Sequence, residues 1–270
     1  MSMKKRDNIA GVIYGFAIGD AMGATTEFMD EKEINRKFGK VCDIIGGGWL
    51  RLKAGDVTDD TQMTICVMDA LIKSPYELVE FIEYCKKNFV EWFKRGPKDV
   101  GAQCAKGIYS IILGKSLEVD DKALGNGSLM RAMPCALIDN VPFNIRQGKL
   151  THNNVVCSRM ILYYSRLINS YINSNYTINT VNKLMEPTGC VKNTLNNAIY
   201  WSNKDSFRNA ILGAVNHGGD ADTIAAITGS LAGAKFGYDN IPERWVNQLN
   251  PDIRMYLEAF KNFVFSYLQI

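Results

Sequence analysis

Residues 74–97 read SPYELVEFIEYCKKNFVEWFKRGP, and their apolar side chains recur at the spacing of an α-helix. The positions that share one helical face are Leu78, Ile82, Cys85, Phe89 and Phe93. Ser74-Pro75-Tyr76-Glu77 has the composition of a capping box with proline at the first helical position. Gly96-Pro97 stops the pattern, so the segment predicts a long helix that buries one face.

Helical patterns extend outward from this segment in both directions. They predict further helices over residues 9–20, 100–113, 208–215, 222–236 and 253–268, and one that Thr151 caps. Alternating strand patterns are almost absent, with Val41–Ile45 as the one short candidate. Residues 169–203 are dense in asparagine, which predicts long turns. The sequence therefore predicts an all-α fold, a single compact multi-helix domain over residues 1–270.

Composition excludes several classes of protein. Of the 270 residues, 47% are hydrophobic and 22% are charged, which is ordinary for a soluble globular chain and excludes disorder and collagen. The formal net charge of +3 is too balanced for a protein that binds nucleic acid through a basic face. The only histidines are His152 and His217, so a histidine-rich zinc site is excluded as well.

The cysteines and the N-terminal residues indicate the cellular compartment of the protein. The seven cysteines are odd in number and include no CxxC pair, so we expect reduced thiols and a cytoplasmic protein. Lys4-Lys5-Arg6 before the apolar run 9–18 mimics a signal peptide, but Asp7, Asp20 and four glycines favour a helix. No uncharged run has the length of a membrane span. We expect a monomer that does not bind membranes.

Two acidic clusters, each at a predicted helix start, carry most of the chemistry. They are GDVTDDT at residues 55–61 and HGGDADT at residues 217–223. Helix capping alone is one explanation, because Asp and Thr side chains accept the free backbone N–H groups of a first turn. Each cluster has more carboxylates than a cap requires, and neighbouring carboxylates repel each other unless a cation or protons intervene.

The two helix N-termini would form one metal cleft if they converged. Four carboxylates in one place require about two divalent cations, and oxygen ligands suit Mg²⁺ or Mn²⁺ rather than zinc or copper. Gly218 and Gly219 let the backbone turn sharply and approach a ligand closely. The candidate metal ligands are Thr58, Asp59, Asp60, Asp220, Asp222 and Thr223.

Three more features are open to two interpretations each. The turn GNGSLMR at residues 125–131 can cradle a phosphate on its N–H groups or be a plain loop, and it lacks the Lys-Ser/Thr ending of a nucleotide-binding P-loop. Glu27 is either an acid/base group or a solvated loop residue. His152 either stacks on an adenine or ribose ring or caps a helix at the surface.

Together these motifs resemble those of the ADP-ribosylglycohydrolase family. The matching strings, in family order, are GFAIGDAMGATTEF (15–28), DVTDDTQM (56–63), GNGSLMRAMP (125–134), LTH (150–152) and AVNHGGDADTIAAI (214–227). IPERW at residues 241–245 also fits the family's closing segment. One such string is modest evidence, whereas five in the right order are specific.

The resemblance implies an all-α fold with two Mg²⁺ or Mn²⁺ ions at the base of a cleft. It implies cleavage of the bond between ribose C1″ of ADP-ribose and an acceptor, usually a protein side chain. The family's metal ligands fall on the six candidate ligands above, its mobile glutamate on Glu27 and another active-site aspartate on Asp99. Gly125, Asn126, Gly127 and Ser128 fall beside the diphosphate and ribose, and His152 near the adenine-side rings.

The acceptor stays open at this point. Arginine is the first choice, and serine, small guanidines and nucleobases share the same ADP-ribose half, so the substrate is an ADP-ribosylated protein or a small ADP-ribosyl compound. Two other classes use the same residues: a metal-dependent phosphohydrolase and a non-catalytic module that binds ADP-ribose. No metal-ligand position is lost, which separates the chain from relatives that keep the fold without the chemistry.

Overall fold

The computed structural model describes residues 2–173 and 181–270, and helices dominate its regular structure. The α-helices that it describes are α1 (Ser2–Gly23), α2 (Glu31–Phe38), α3 (Asp59–Lys73), α4 (Leu78–Lys94), α5 (Ala102–Ile112), α6 (Met133–Leu137), α7 (Val141–Lys149), α8 (Val155–Ile172), α9 (Val191–Ser202), α10 (Phe207–His217), α11 (Ala221–Phe236), α12 (Glu243–Gln248) and α13 (Pro251–Tyr267). They pack around one continuous hydrophobic core. The predicted all-α fold is confirmed, and none of the described helices has both the length and the hydropathy of a membrane span.

Helices α1 and α11 cross the centre of the molecule as an antiparallel pair with their backbones in contact. From Ile9 onward α1 is buried and mostly apolar, and α11 is buried on all sides as far as Ala234, as expected for central helices. The pairs of facing backbone positions are Gly11 and Gly233, Gly15 and Gly229, Gly19 and Ala225, and Gly23 and Ala221. This contact brings the C-terminal end of α1 beside the N-terminal end of α11.

Gly19→Ala tests how closely these two helices must approach. A Cβ at residue 19 would stand 2.0 Å from the carbonyl oxygen of Ala225, and the neighbouring atoms are backbone that cannot rotate away. We expect a loss of unfolding free energy of about 1–3 kcal/mol, the usual cost of overpacking, by urea denaturation. Gly101→Ala is the matched control, because its φ is −58° and no atom lies within 4 Å of an added Cβ. Equal stabilities of the two variants would contradict the close contact.

Two predicted helix starts are wrong, and tertiary contacts explain both. Helix α4 begins at Leu78 rather than Pro75, because the Ser74 hydroxyl donates to the Glu77 carbonyl and to the Glu80 carboxylate instead of capping. Helix α8 is capped by Asn154, whose side chain accepts from the N–H groups of its first turn. Thr151 lies three residues earlier, and its hydroxyl accepts a hydrogen bond from the buried Arg131.

The asparagine-rich segment and the strand candidate also differ from prediction. Helix α9 lies within residues 169–203, where Asn197 is buried and pairs with the Met185 backbone instead of forming a turn. Residues 174–180 of that segment lie outside the described part of the chain. Val41 pairs with the side chain of Asn216, through bonds of 2.8 and 2.9 Å, so no strand forms there.

Candidate metal centre and ligand cleft

The first acidic cluster is held in place by a buried aspartate of α1. Asp20 accepts hydrogen bonds from the backbone N–H groups of Thr58 and Thr61, at 3.1 and 3.0 Å, and from the Thr61 hydroxyl. The Thr58 hydroxyl oxygen accepts the Asp60 N–H at 3.2 Å and caps α3. Because Asp20 and Thr58 accept the free N–H groups at the start of α3, the carboxylates of Asp59 and Asp60 are not needed as caps.

The second acidic cluster begins at a turn with positive φ. Gly219 has a φ of +67°, and an added Cβ would stand 2.1 Å from the Pro187 carbonyl oxygen, so the turn requires glycine. The Gly219 carbonyl accepts the Phe28 N–H at 2.7 Å, which ties this turn to the segment after α1. Asp220 accepts a 2.6 Å bond from the side chain of Asn126, and Asp222 lies buried in the first turn of α11.

The predicted convergence of the two helix starts is observed. Glu27, Asp220 and Asp222 each place a carboxylate oxygen within 4.8 Å of the other two. Thr223 on α11 donates to the Asp60 carboxylate at 3.5 Å, which joins the two clusters. A cleft of about 250 Å³ opens onto them, and its lining includes Glu27, Phe28, Asp59, Asp60, Asp99, Gln103, Cys104, Gly125, Asn126, Gly127, His152, Asp220, Asp222 and Thr223. Of the candidate residues, Thr58, Ser128, Gly218 and Gly219 lie behind this lining.

Two carboxylate oxygens in the cluster fit a bound cation. Asp60 Oδ2 and Asp222 Oδ1 are buried and accept no hydrogen bond from the described residues. Buried carboxylate oxygens without donors are costly unless a proton or a cation compensates them. Hard oxygen donors of this kind are the ligands that Mg²⁺ and Mn²⁺ prefer, so the residues present suit the predicted metals.

The pKa values of the carboxyl groups in the cluster are raised. Burial, followed by the nearby carboxylates, raises the pKa of Glu27 to about 8 and that of Asp59 to about 7. Burial raises the pKa of Asp220 to about 6, although its bond from Asn126 acts in the opposite direction. Burial raises the pKa values of Asp60 and Asp222 well above the usual range, and the next largest causes are the charge of Asp222 acting on Asp60 and that of Glu27 acting on Asp222. Without a cation, the folded cluster therefore retains protons.

These pKa shifts predict how the metal-free protein responds to pH. The folded state binds protons that the unfolded chain releases, so unfolding free energy should fall as pH rises from about 4 to about 8. Thermal unfolding in EDTA measures this trend. Added Mg²⁺ or Mn²⁺ should raise the melting temperature more at about pH 8 than at about pH 5, because the carboxylates are then charged. Stability in EDTA that rises with pH would contradict the prediction.

Glu27 is buried rather than solvated, so the solvated interpretation is wrong. Its exposed fraction is 4%, and its Oε2 accepts the indole N–H of Trp49 at 2.7 Å. The Trp49 ring lies 5.4 Å from the ring of Phe28, and their residues are 47% and 66% exposed. Phe28 has a φ of +62°, which is strained for a bulky residue and is typical of functional sites.

Trp49 and Asp20 have roles at the site that no sequence motif indicated. Trp49 follows three glycines of positive φ, Gly46 to Gly48, and this turn rather than any helical pattern places its indole beside Glu27. In the sequence Asp20 is one of the two aspartates that flank the apolar run 9–18, and an Asp at the end of such a run is the available signal. His217, next to the second cluster in sequence, bonds instead to Glu31 at 3.0 Å.

The glycine-rich loop lies against His152 on another wall of the cleft. Turns run through residues 127–131 and lead into the short α6. His152 is 2% exposed, which excludes the surface-cap interpretation. Burial and the nearby Arg131 lower its pKa to about 3, so the ring is neutral. A Cβ on Gly127 would meet Cys104 Sγ at 2.5 Å and His152 Cε1 at 3.0 Å, so only glycine lets the loop pack this closely.

Comparisons with known proteins agree with this arrangement. The chain is 33% identical, over 90% of each sequence, to ADP-ribosyl-(dinitrogen reductase) glycohydrolase from Rhodospirillum rubrum. It is 28% identical to the ADP-ribosylarginine hydrolase Tri1 from Pseudomonas putida (strain GB-1), over 90% of this chain and 74% of the relative.

A structural comparison and a family model cover nearly the whole chain. A solved structure of an ADP-ribosylglycohydrolase-related protein complex superposes with a TM-score of 0.83 at 24% identity, over 98% of this chain and 99% of that one, and supports the fold. The family model described as ADP-ribosylglycohydrolase matches residues 1–187 and 166–266. The protein is therefore an enzyme that belongs to the ADP-ribosylglycohydrolase family.

Proposed function

We propose that this enzyme is a metal-dependent hydrolase that removes ADP-ribose from protein side chains, with arginine as the preferred acceptor. The observation that carries the proposal is the convergence of Glu27, Asp220 and Asp222 at one cleft, with their oxygens within 4.8 Å of one another. The relatives named above include an ADP-ribosylarginine hydrolase and an enzyme acting on ADP-ribosylated dinitrogen reductase.

The acidic cluster would hold two Mg²⁺ or Mn²⁺ ions. The residues that would bind them are Thr58, Asp59, Asp60, Asp220, Asp222 and Thr223. When bound, such ions supply Lewis acidity and orient ribose hydroxyls and a water. The unpartnered oxygens of Asp60 and Asp222 support this assignment, because a cation supplies the charge compensation that the described residues do not.

The chain's own carboxylates would handle the proton. Cleavage breaks the bond from C1″ to the acceptor, adds a water oxygen to C1″, and transfers one water proton to the departing group. Glu27 is the first candidate for this transfer, because it is buried in the cluster and its Oε2 is held by Trp49. Asp99 lines the same cleft with greater exposure and is the second candidate.

An aromatic rim beside the cluster supports arginine as the acceptor. We use this name for Phe28 and Trp49, whose exposed rings are in contact beside Glu27. A planar guanidinium stacks on aromatic faces and is attracted by neighbouring carboxylates. A neutral serine leaving group has neither interaction, so the aromatic rim favours a cationic acceptor.

Phe28→Leu tests whether the aromatic rim selects the acceptor. Loss of the ring should raise KM for an ADP-ribosylarginine peptide about fivefold, the scale of an exposed cation–π contact, and leave KM for an ADP-ribosylserine peptide unchanged. Tyr109→Leu is the matched control, because Tyr109 is 55% exposed and packs on Phe93. An equal change in KM for both peptides would mean that the rim does not discriminate between acceptors.

A release assay tests the proposed reaction itself. Mass spectrometry should detect intact ADP-ribose released from an arginine-linked substrate, and EDTA should abolish the release. Serine-linked, small-guanidine and nucleobase-linked substrates in the same panel determine the acceptor. Free phosphate or AMP would identify a phosphohydrolase, and binding without turnover at saturating Mn²⁺ would identify a non-catalytic module.

The cysteines support a reducing compartment. All seven are unpaired, and five of them are buried in the core. Because disulfides are rare in the cytosol and common outside it, this pattern agrees with the proposed cytoplasmic location.

A further inference from the structure

Arg131 is a buried cation that has no counter-charge among the described residues. Its residue is fully buried, and none of the described ion pairs includes it. The guanidinium instead donates to Gln147, to the Gly127 carbonyl and to the Thr151 hydroxyl, and it lies 4.8 Å from the centre of the Phe89 ring. Burial of an unpaired charge is expensive, so its retention under the glycine-rich loop requires a reason.

The Thr151 hydroxyl connects Arg131 to His152. Arg131 Nη2 lies 2.7 Å from Thr151 Oγ1, and Thr151 Oγ1 lies 2.8 Å from His152 Nδ1. An arginine N–H can only donate, so it occupies a lone pair of the hydroxyl oxygen and leaves the single hydroxyl proton to be donated. In the described part of the chain, the acceptors given for that proton are His152 Nδ1 and the thiol sulfur of Cys104, and sulfur is the weaker acceptor.

This chain of bonds determines which ring nitrogen carries the proton. If Nδ1 accepts from Thr151, then Nε2 of the neutral ring must carry the hydrogen. Nε2 lies 3.1 Å from the position of a Cβ on Gly125, and in the described part of the chain it has no hydrogen-bond partner. The ring therefore presents one N–H donor to the cleft beside the glycine-rich loop.

We propose that Arg131 and Thr151 are positioning residues that hold His152 as the Nε2–H tautomer, ready to donate a hydrogen bond to an oxygen of ADP-ribose. The ligand half of this inference rests on the proposed function, whereas the tautomer half concerns the free protein. The same Arg131 side chain holds the Gly127 carbonyl, so one buried cation orients both the loop and the ring.

The tautomer can be measured directly, because the chain has two histidines. Long-range ¹H–¹⁵N NMR of the ligand-free protein distinguishes Nδ1–H from Nε2–H, and His217→Asn assigns the remaining signals to His152. We expect the Nε2–H form in the wild type and in Thr151→Ser, which keeps the hydroxyl. Thr151→Val keeps the shape, removes the hydroxyl, and should produce a mixture of tautomers.

Titration with ADP-ribose tests the consequence for binding. Thr151→Val should raise Kd about tenfold, the scale of one misdirected hydrogen bond to a charged ligand, and Thr151→Ser should restore wild-type affinity. Thr228→Val is the matched control, because Thr228 is also fully buried and bonds to the Ile224 carbonyl outside the cleft. A merely structural role for Thr151 would weaken binding in parallel with stability and leave the tautomer unchanged.

The outcomes separate the two levels of the inference. An Nδ1–H tautomer in the wild type, or an unchanged tautomer in Thr151→Val, overturns the positioning role. Failure of the wild type to bind ADP-ribose overturns the proposed function, and the ligand-free spectra still decide the role of Thr151. If Thr151→Val changes the tautomer while Kd stays at the wild-type value, the proposed hydrogen bond to ADP-ribose is wrong.

Discussion

Asp60→Asn is expected to abolish metal-dependent turnover and, at the same time, to stabilise the metal-free protein. Asp60 is 1% exposed, and its Oδ2 accepts no hydrogen bond from the described residues. The amide keeps the shape and removes a ligand charge, so Lewis-acid stabilisation worth several kcal/mol, a factor of about 10³ in rate, should be lost. Burial and the charge of Asp222 make the Asp60 carboxyl group costly in the folded protein, whether it is ionised or takes up a proton, and the amide removes this cost, so the melting temperature in EDTA should rise.

Asp69→Asn is the control for this experiment. Asp69 lies on the same helix, is half-buried, and is absent from the cleft lining. Its replacement should change neither Mn²⁺ binding by calorimetry nor release of ADP-ribose. If Asp60→Asn retains full activity after exhaustive chelation and reloading, Asp60 is not a ligand. If the melting temperature of Asp60→Asn in EDTA falls below that of the wild type, the carboxylates of the cluster do not destabilise the metal-free protein.

Glu27→Gln should lower the single-turnover rate by about 10²–10⁴, the usual contribution of a positioned proton-transfer group. The amide keeps the side chain's shape and its bond from Trp49, but it cannot transfer the proton. Substrate affinity should fall much less, because the lost interaction belongs to the transition state. Rapid-quench kinetics on a defined ADP-ribosylarginine peptide gives both quantities. Exposed Glu83 on α4 provides the control, Glu83→Gln.

A gating role for Glu27 predicts a different result. If the side chain only admits the substrate, Glu27→Gln should change the association rate and leave the single-turnover rate close to that of the wild type. Cleavage at the wild-type rate with wild-type affinity would remove Glu27 from the mechanism, and Asp99 would become the candidate for proton transfer.

The acidic clusters were predictable from sequence because their composition exceeds what local structure requires. A helix start needs one capping oxygen, and Thr58 supplies it, so Asp59 and Asp60 were left without a local role. The same reasoning applied to Asp220 and Asp222 at the next cluster. Helical periodicity predicts α1 and α11, but Glu27 lies in the turn after α1, and the backbone contact between the two helices brings it to Asp222.

Features that depend on long-range partners were not predictable. Thr151 has the right residue type for an N-cap, but its hydroxyl bonds to Arg131, twenty residues away in sequence. Trp49 gains its role only because a glycine turn brings its indole to Glu27. The asparagine-rich sequence of α9 does not indicate a helix, because its buried Asn197 is hydrogen-bonded by the backbone of Met185 and not by water. Helix propensity depends on the local sequence and therefore does not predict contacts with distant residues.

The backbone contact between α1 and α11 has a consequence for how a newly made chain matures. The facing residues, such as Gly19 and Ala225, are separated by about 200 residues, so the closing of this loop is a late and entropically costly event. During synthesis from the ribosome, α1 emerges long before its partner exists. Glu27 and Asp222 therefore come together only after α11 has been synthesised. We expect divalent cations to accelerate this final docking, because they offset the repulsion that appears at that moment.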